Sequence, residues 1–138
     1  MQTTIATSKR VLALSFLAAC TLVLTSSLIA QETITPIMTH ALAAAPGSEA
    51  LMYTVDFPPG FSSSIHRHDA QVAVYVLEGS VVMQVKGGKE LTLGPGQSFY
   101  EKPNDIHVVS RNASNSKPAK FLVFLIHKNG TPLVIPVK

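Results

Sequence analysis

His66-Arg67-His68 places two imidazoles one residue apart. Side chains alternate across a β-strand, so the pair faces one side about 7 Å apart along the chain. That spacing suits two histidines chelating one cation. His107 follows the turn residues Pro103-Asn104-Asp105 and opens a later strand, from which a third imidazole can converge. Imidazole ligation suits Fe, Mn, Ni, Cu or Zn, so the chemistry implied is binding of a divalent transition metal of open identity. Tyr100 and Glu101 precede that turn. Strand alternation lets only one of them face a cavity as acid, base or hydrogen-bond donor. His40 and His127 read as solvent-facing histidines, and Glu78 as a solvated turn residue.

The elements that must hold these side chains are short. From Leu51 onward, β-rich runs alternate with turn signals, the pattern of a sandwich or barrel. Strands are expected at Leu51–Phe57, Val72–Leu77, Ser80–Lys86, Lys89–Leu93, Gln97–Glu101, His107–Arg111, Ala119–His127 and Leu133–Val137. Gly87-Gly88 reads as a two-residue hairpin turn. No segment of helical period and useful length follows residue 50, so the fold class is all-β. Residues 31–50, with Pro36, Pro46 and Gly47, read as an extended lead-in with at most a short strand, ahead of a domain over 51–138.

Val72–Leu77 and Phe121–Ile126 are apolar at every position. A strand facing water on one side should alternate. Their outer faces are therefore expected to be covered, by the N-terminal segment or by a second copy; a homodimer is the favoured expectation.

Residues 1–30 carry a different signal. Lys9-Arg10 precedes the apolar run Val11–Leu24, and a small-residue stretch ends at Ala30, as in a secretory signal peptide. Two rivals stand beside it. The uncharged run Val11–Ala30 is long enough for a retained membrane anchor, and Leu17-Ala18-Ala19-Cys20 has the form of a lipoprotein box. All three export the domain to the periplasm or beyond. Membrane association follows only if the segment is retained or Cys20 is lipidated. Cys20 is the single cysteine, so a domain cleaved after Ala30 has neither disulfide nor thiol nucleophile.

At 138 residues the chain suits one domain. A charged fraction of 14 % with 46 % hydrophobic residues argues against disorder. The net charge of +3 falls to +1 without Lys9 and Arg10, which is no footprint for nucleic acid. Phosphate-binding glycine loops and Ser/His/Asp signatures do not occur.

Gly60, then His66-Arg67-His68, then Gly79 within Tyr75-Val76-Leu77-Glu78-Gly79 form one motif; Gly96 through Pro103 to His107 forms a second. Over residues 50–127 the sequence resembles the small single-domain bacterial members of the cupin family. The resemblance implies a double-stranded β-helix, a jelly-roll barrel that is often dimeric, with a divalent metal in its mouth. His66, His68 and His107 occupy the three family histidine positions. The family's glutamate ligand falls at Val72, which cannot ligate; its neighbour Gln71 is a weak fourth candidate if a bulge turns its amide inward. Asn104 stands for a family glycine, and the family's asparagine falls at Arg111, one place before Asn112.

Catalytic residues are not assigned. The resemblance and the histidines together suggest an exported metal-dependent oxygenase acting on a small organic molecule. The alternatives are a metal or small-ligand binding module without turnover, and a structural barrel.

Overall fold

The computed structural model describes residues 30–138. Lys9-Arg10, the apolar run from Val11 and Cys20 lie outside them. Ten strands follow in order: β1 (Thr33–Ala41), β2 (Ser48–Phe57), β3 (His66–Arg67), β4 (Ala70–Glu78), β5 (Val81–Val85), β6 (Leu91–Leu93), β7 (Ser98–Glu101), β8 (Ile106–Asn112), β9 (Ala119–Lys128) and β10 (Ile135–Pro136). No helix occurs among the described residues, and the all-β expectation holds.

Alternation decides which side chains face inward. On β4, Ala70, Val72, Val74 and Val76 are buried while the residues between them are exposed. On β9 the buried set is Ala119, Phe121, Val123, Leu125 and His127. The strands form two five-stranded antiparallel sheets, ordered β1-β2-β9-β4-β7 and β10-β3-β8-β5-β6. Phe57, Val72, Val76, Val81, Met83 and Leu125 fill the space between them. Phe57 meets Phe121 edge-on at 4.9 Å and Phe61 at 4.8 Å between ring centroids.

Three expectations change. The lead-in is a nine-residue strand, β1, paired along β2 from Thr33↔Asp56 to Ala41↔Glu49, so residues before 51 belong to the barrel. Pro36 is tolerated there because β1 is an edge strand. The two-residue Gly87-Gly88 hairpin does not form. Instead Gly88 N–H donates to the Val85 carbonyl, only Gly87 takes a positive φ, and β6 begins at Leu91. Lastly, β1 extends the sheet edgewise and does not cover the outer faces of β4 and β9; Tyr75 and Leu77 stay exposed.

Gly79 closes the β4–β5 turn at φ 69°, where a Cβ would sit 2.4 Å from the Pro118 carbonyl oxygen. Both backbone conformation and close approach exclude a side chain. Gly79→Ala is expected to cost about 2 kcal/mol or more, measured as a fall in the urea midpoint, whereas Gly87→Ala, with open space around its Cβ position, loses only the backbone term.

Candidate metal centre

β3 is only two residues long and is clamped between β8 and β10. His66 pairs directly with His107 on one side and with Pro136 on the other. His68 follows one residue beyond β3. Asn104 N–H donates to its carbonyl at 2.8 Å, and Arg67 donates to the Asn104 side chain. Asn104 holds φ 66°, the left-handed conformation expected where the family has glycine.

These pairings bring the three predicted histidines together. Their ligand nitrogens lie within 4.8 Å of one another, and the His66 ring centroid is 5.0 Å from that of His68 and 5.2 Å from that of His107. Nδ1 of His66 lies 2.8 Å from the Ser64 carbonyl, and Nδ1 of His68 bonds the Leu133 carbonyl. A carbonyl only accepts, so both Nδ1 atoms carry a proton, which leaves Nε2 as the ligating atom of each ring. Backbone carbonyls thus set the tautomer and aim the ring, as the outer partners of metal-ligating histidines do. His107 stacks on Phe99 at 5.7 Å, and its buried Nε2 has no hydrogen-bond partner. Burial, and then the neighbouring His66 and His68, lower the His107 pKa to about 3. Burial also lowers that of His68. Both imidazoles are neutral at physiological pH, the form that ligates.

The structure resolves the choice between Tyr100 and Glu101. Glu101 points inward and is 2 % exposed; Tyr100 points outward and is 53 % exposed. One Glu101 oxygen lies 3.5 Å from His107 Nδ1, and the other lies 4.0 Å from His68 Nε2 with no hydrogen-bond partner. With the imidazoles neutral, these contacts are not ion pairs. Burial pushes the Glu101 pKa up to about 7, and Asp105 adds to the rise.

Gln71 is not part of the cluster. β4 pairs with β9 without a break from Ala70↔His127 to Val76↔Phe121, so no bulge turns residue 71 inward. It lies on the outer face, where Tyr100 donates its hydroxyl proton to the Gln71 amide oxygen.

A bulge does occur on β8. Gln84 pairs with Val109 and Val85 with His107, leaving Val108 as an extra residue. His107 and Asn112 are five apart, and plain alternation would send them to opposite faces. The bulge turns both inward. Asn112 Nδ2 donates to the carbonyls of Phe57, Pro58 and Lys117, and its Oδ1 accepts from Ser114 N–H, so it fills the structural place expected one residue earlier. His127, read from sequence as exposed, is buried; Nε2 lies 3.0 Å from Glu49 and Nδ1 2.8 Å from the Thr131 hydroxyl. Only the inward phase of β9 marks it in the sequence.

The imidazoles open into a cavity of about 340 Å³. Val72, Val74, Met83, Phe121 and Val123 form its apolar wall, with Tyr53, Ser63 and Ser110 supplying hydroxyls and Glu32, Ile34 and Val134 at the rim. Among the described residues, no lysine or arginine lines it. Burial, then Glu101 and Glu32, hold Tyr53 up at about 12, so its hydroxyl stays protonated and is available as a donor. A donor set of three imidazoles with orphaned buried atoms fits a divalent transition ion.

Two antiparallel sheets closed face to face, with convergent histidines opening into the space between them, define a double-stranded β-helix with a candidate metal centre. The chain belongs to the cupin family: residues 53–125 match the model of the cupin domain. A cupin-domain-containing oxidoreductase of Neurospora crassa is 35 % identical over 78 residues, 52 % of this chain and 36 % of that protein. The DMSP lyase DddQ of Ruegeria pomeroyi superposes with TM-score 0.64 at 19 % identity, over 83 % of this chain and 55 % of that one. The TT1209 protein of Thermus thermophilus superposes with TM-score 0.54 at 27 % identity, over 69 % and 82 % respectively. The chain thus spans about a third of the fungal oxidoreductase and about half of DddQ.

A carboxyl group whose pKa is raised on folding makes the folded state bind more protons than the unfolded one. Stability then falls as pH rises from about 4.5 through about 7. In protein stripped of metal, Glu101→Gln should raise Tm by about 5 °C or more at pH 8 and by little at pH 4. Differential scanning calorimetry at the two pH values measures the difference.

Proposed function

We propose that this chain is an exported cupin that binds one divalent transition metal through His66, His68 and His107 and acts as an oxidoreductase of the oxygenase type on a small organic molecule. The convergence of three imidazoles on a cavity of about 340 Å³ carries the reading. When bound, the metal would supply Lewis acidity and open coordination positions for substrate and dioxygen. The residues do the rest. Nδ1–H bonds to Ser64 and Leu133 keep two imidazoles aimed, the valine and phenylalanine wall excludes water, and the Tyr53 hydroxyl offers a hydrogen bond to a ligand oxygen. A lining without lysine or arginine among the described residues favours a neutral ligand with an apolar body over a phosphate or polycarboxylate. The fungal relative described as an oxidoreductase supports the reaction class.

The export signal supports a periplasmic or secreted location, or a membrane-anchored one if that segment stays. We further propose a homodimer packed through the outer face of the β1-β2-β9-β4-β7 sheet, where Tyr75, Leu77 and Tyr100 are exposed beside half-buried Phe124.

Elemental analysis of the purified chain, made without an affinity tag, is expected to find about one transition metal per chain and none in His107→Ala. Aerobic incubation of the metal-loaded chain with small neutral aromatic and aliphatic compounds should then show oxygen uptake at an electrode. Reversible metal binding without oxygen uptake would favour a binding module. Protein that takes up none of Fe, Mn, Ni, Cu or Zn overturns the proposal. Light scattering reads the dimer, which Tyr75→Lys should shift to monomer.

A further inference from the structure

The family glutamate position is Val72, and the geometry points to Glu101 as its replacement: a fourth, anionic metal ligand delivered from β7 instead of β4. The inference rests on the three-histidine reading above and goes beyond it by assigning the carboxylate. Val72 and Glu101 are direct cross-strand partners in the β4–β7 ladder. Directly opposed residues on one face stand about 4.5–5.5 Å apart at Cβ. A glutamate at either position therefore reaches into the same volume. Val72 and Glu101 are both inward and almost wholly buried, so the exchange leaves the barrel's alternation intact.

The surroundings of Glu101 supply the second argument. An isolated buried carboxylate is expensive unless it is paired, hydrogen-bonded or bound to a metal. No lysine or arginine forms an ion pair with Glu101 among the described residues, and Oε2 makes no hydrogen bond. Its two oxygens instead approach His107 and His68, the rings that present the other ligand atoms. Nε2 of His107, the ring nitrogen on the far side from the Glu101 contact at Nδ1, is likewise buried without a hydrogen-bond partner. A divalent ion would satisfy both orphans together. It would also be balanced in part by the carboxylate charge, which three neutral imidazoles cannot provide.

The test compares Mn²⁺ and Ni²⁺ binding by isothermal titration calorimetry at pH 7.5 for the full chain, Glu101→Gln, His107→Ala and the double exchange Val72→Glu/Glu101→Val. Glu101→Gln keeps the shape of the side chain and removes its charge. Its affinity is expected to fall about 100-fold, at the upper end of the loss seen when groups supporting a metal are removed. With metal absent, the same variant should be the more stable protein, a pairing of opposite effects that a purely structural glutamate would not give. The Mn²⁺ electron paramagnetic resonance spectrum should change in Glu101→Gln even at saturating metal. The double exchange should recover affinity to within about tenfold of the parent, since the carboxylate re-enters from the family's strand.

Equal affinity for the parent and Glu101→Gln, with binding lost in His107→Ala, overturns the Glu101 assignment and leaves the three-histidine site standing. A folded double exchange that binds no better than Glu101→Gln also overturns it. Failure of the parent chain itself to bind either ion, or Fe, Cu or Zn in the same titration, overturns both readings.

Discussion

The direct pairing of His66 with His107 is the constraint on which the site depends. β3 has no length from which to gain stability, and it exists because β8 and β10 accept its hydrogen bonds on either side. That clamp fixes the phase of His66-Arg67-His68, so one imidazole stands opposite His107 and the next alternate residue falls on the same face. Nothing in the core requires this. The core lies under longer strands, β2, β4 and β9, whose valines and phenylalanines hold the sheets together whatever β3 does. Stability and site are thus carried by different elements. The long strands supply the hydrophobic burial, and a two-residue strand at the barrel mouth sets the phase of the histidines.

Burial gives the cluster its character. Histidines lodged among valines and phenylalanines resist protonation, and a carboxyl group in the same place resists ionisation. In metal-free protein these tendencies leave a set of neutral donors facing one another with lone pairs unmatched. A cation reverses the balance, because it stabilises the ionised carboxylate and uses the imidazole lone pairs already exposed. The tolerance of the fold for such a poorly satisfied cluster is itself an argument for a ligand, since native interiors rarely keep buried polar atoms without partners.

Much of this was legible in the residues. The glycine and proline punctuation with intervening β-branched runs marks most of the strands, and the His-x-His spacing with His107 marks the metal donors. What the linear pattern cannot show is a change of phase. The bulge at Val108 decides that Asn112, not Arg111, turns inward, and a bulge is a property of the pairing with β5, invisible in β8 alone. The same limit applied at Val72. Read along its own strand, that position has lost its ligand and Gln71 is the nearest polar substitute. Read across the ladder, the carboxylate is opposite, on β7. His127 escapes the linear pattern for a related reason: a histidine at a strand end looks solvated until its partners, Glu49 on β2 and Thr131 in the next turn, are known to lie beside it.

The atoms that aim the imidazoles are main-chain carbonyls, of Ser64 for His66 and of Leu133 for His68. A carbonyl is offered by every residue type, so the orientation of the rings depends on the path of the backbone and little on the side chains at 64 and 133. The arrangement also makes the C-terminal segment part of the site. Leu133 holds His68, β10 completes the clamp on β3, and Val134 forms part of the cavity rim beside Glu32 and Ile34 from the N-terminal edge. The two ends of the barrel chain thus meet at the mouth. The outer shell of the centre is distributed over segments with few core contacts of their own, and their docking depends on the backbone hydrogen bonds of β3 and β10. Order at the centre is accordingly set by a small number of ladder bonds at the rim, while the core beneath fixes only where that rim stands.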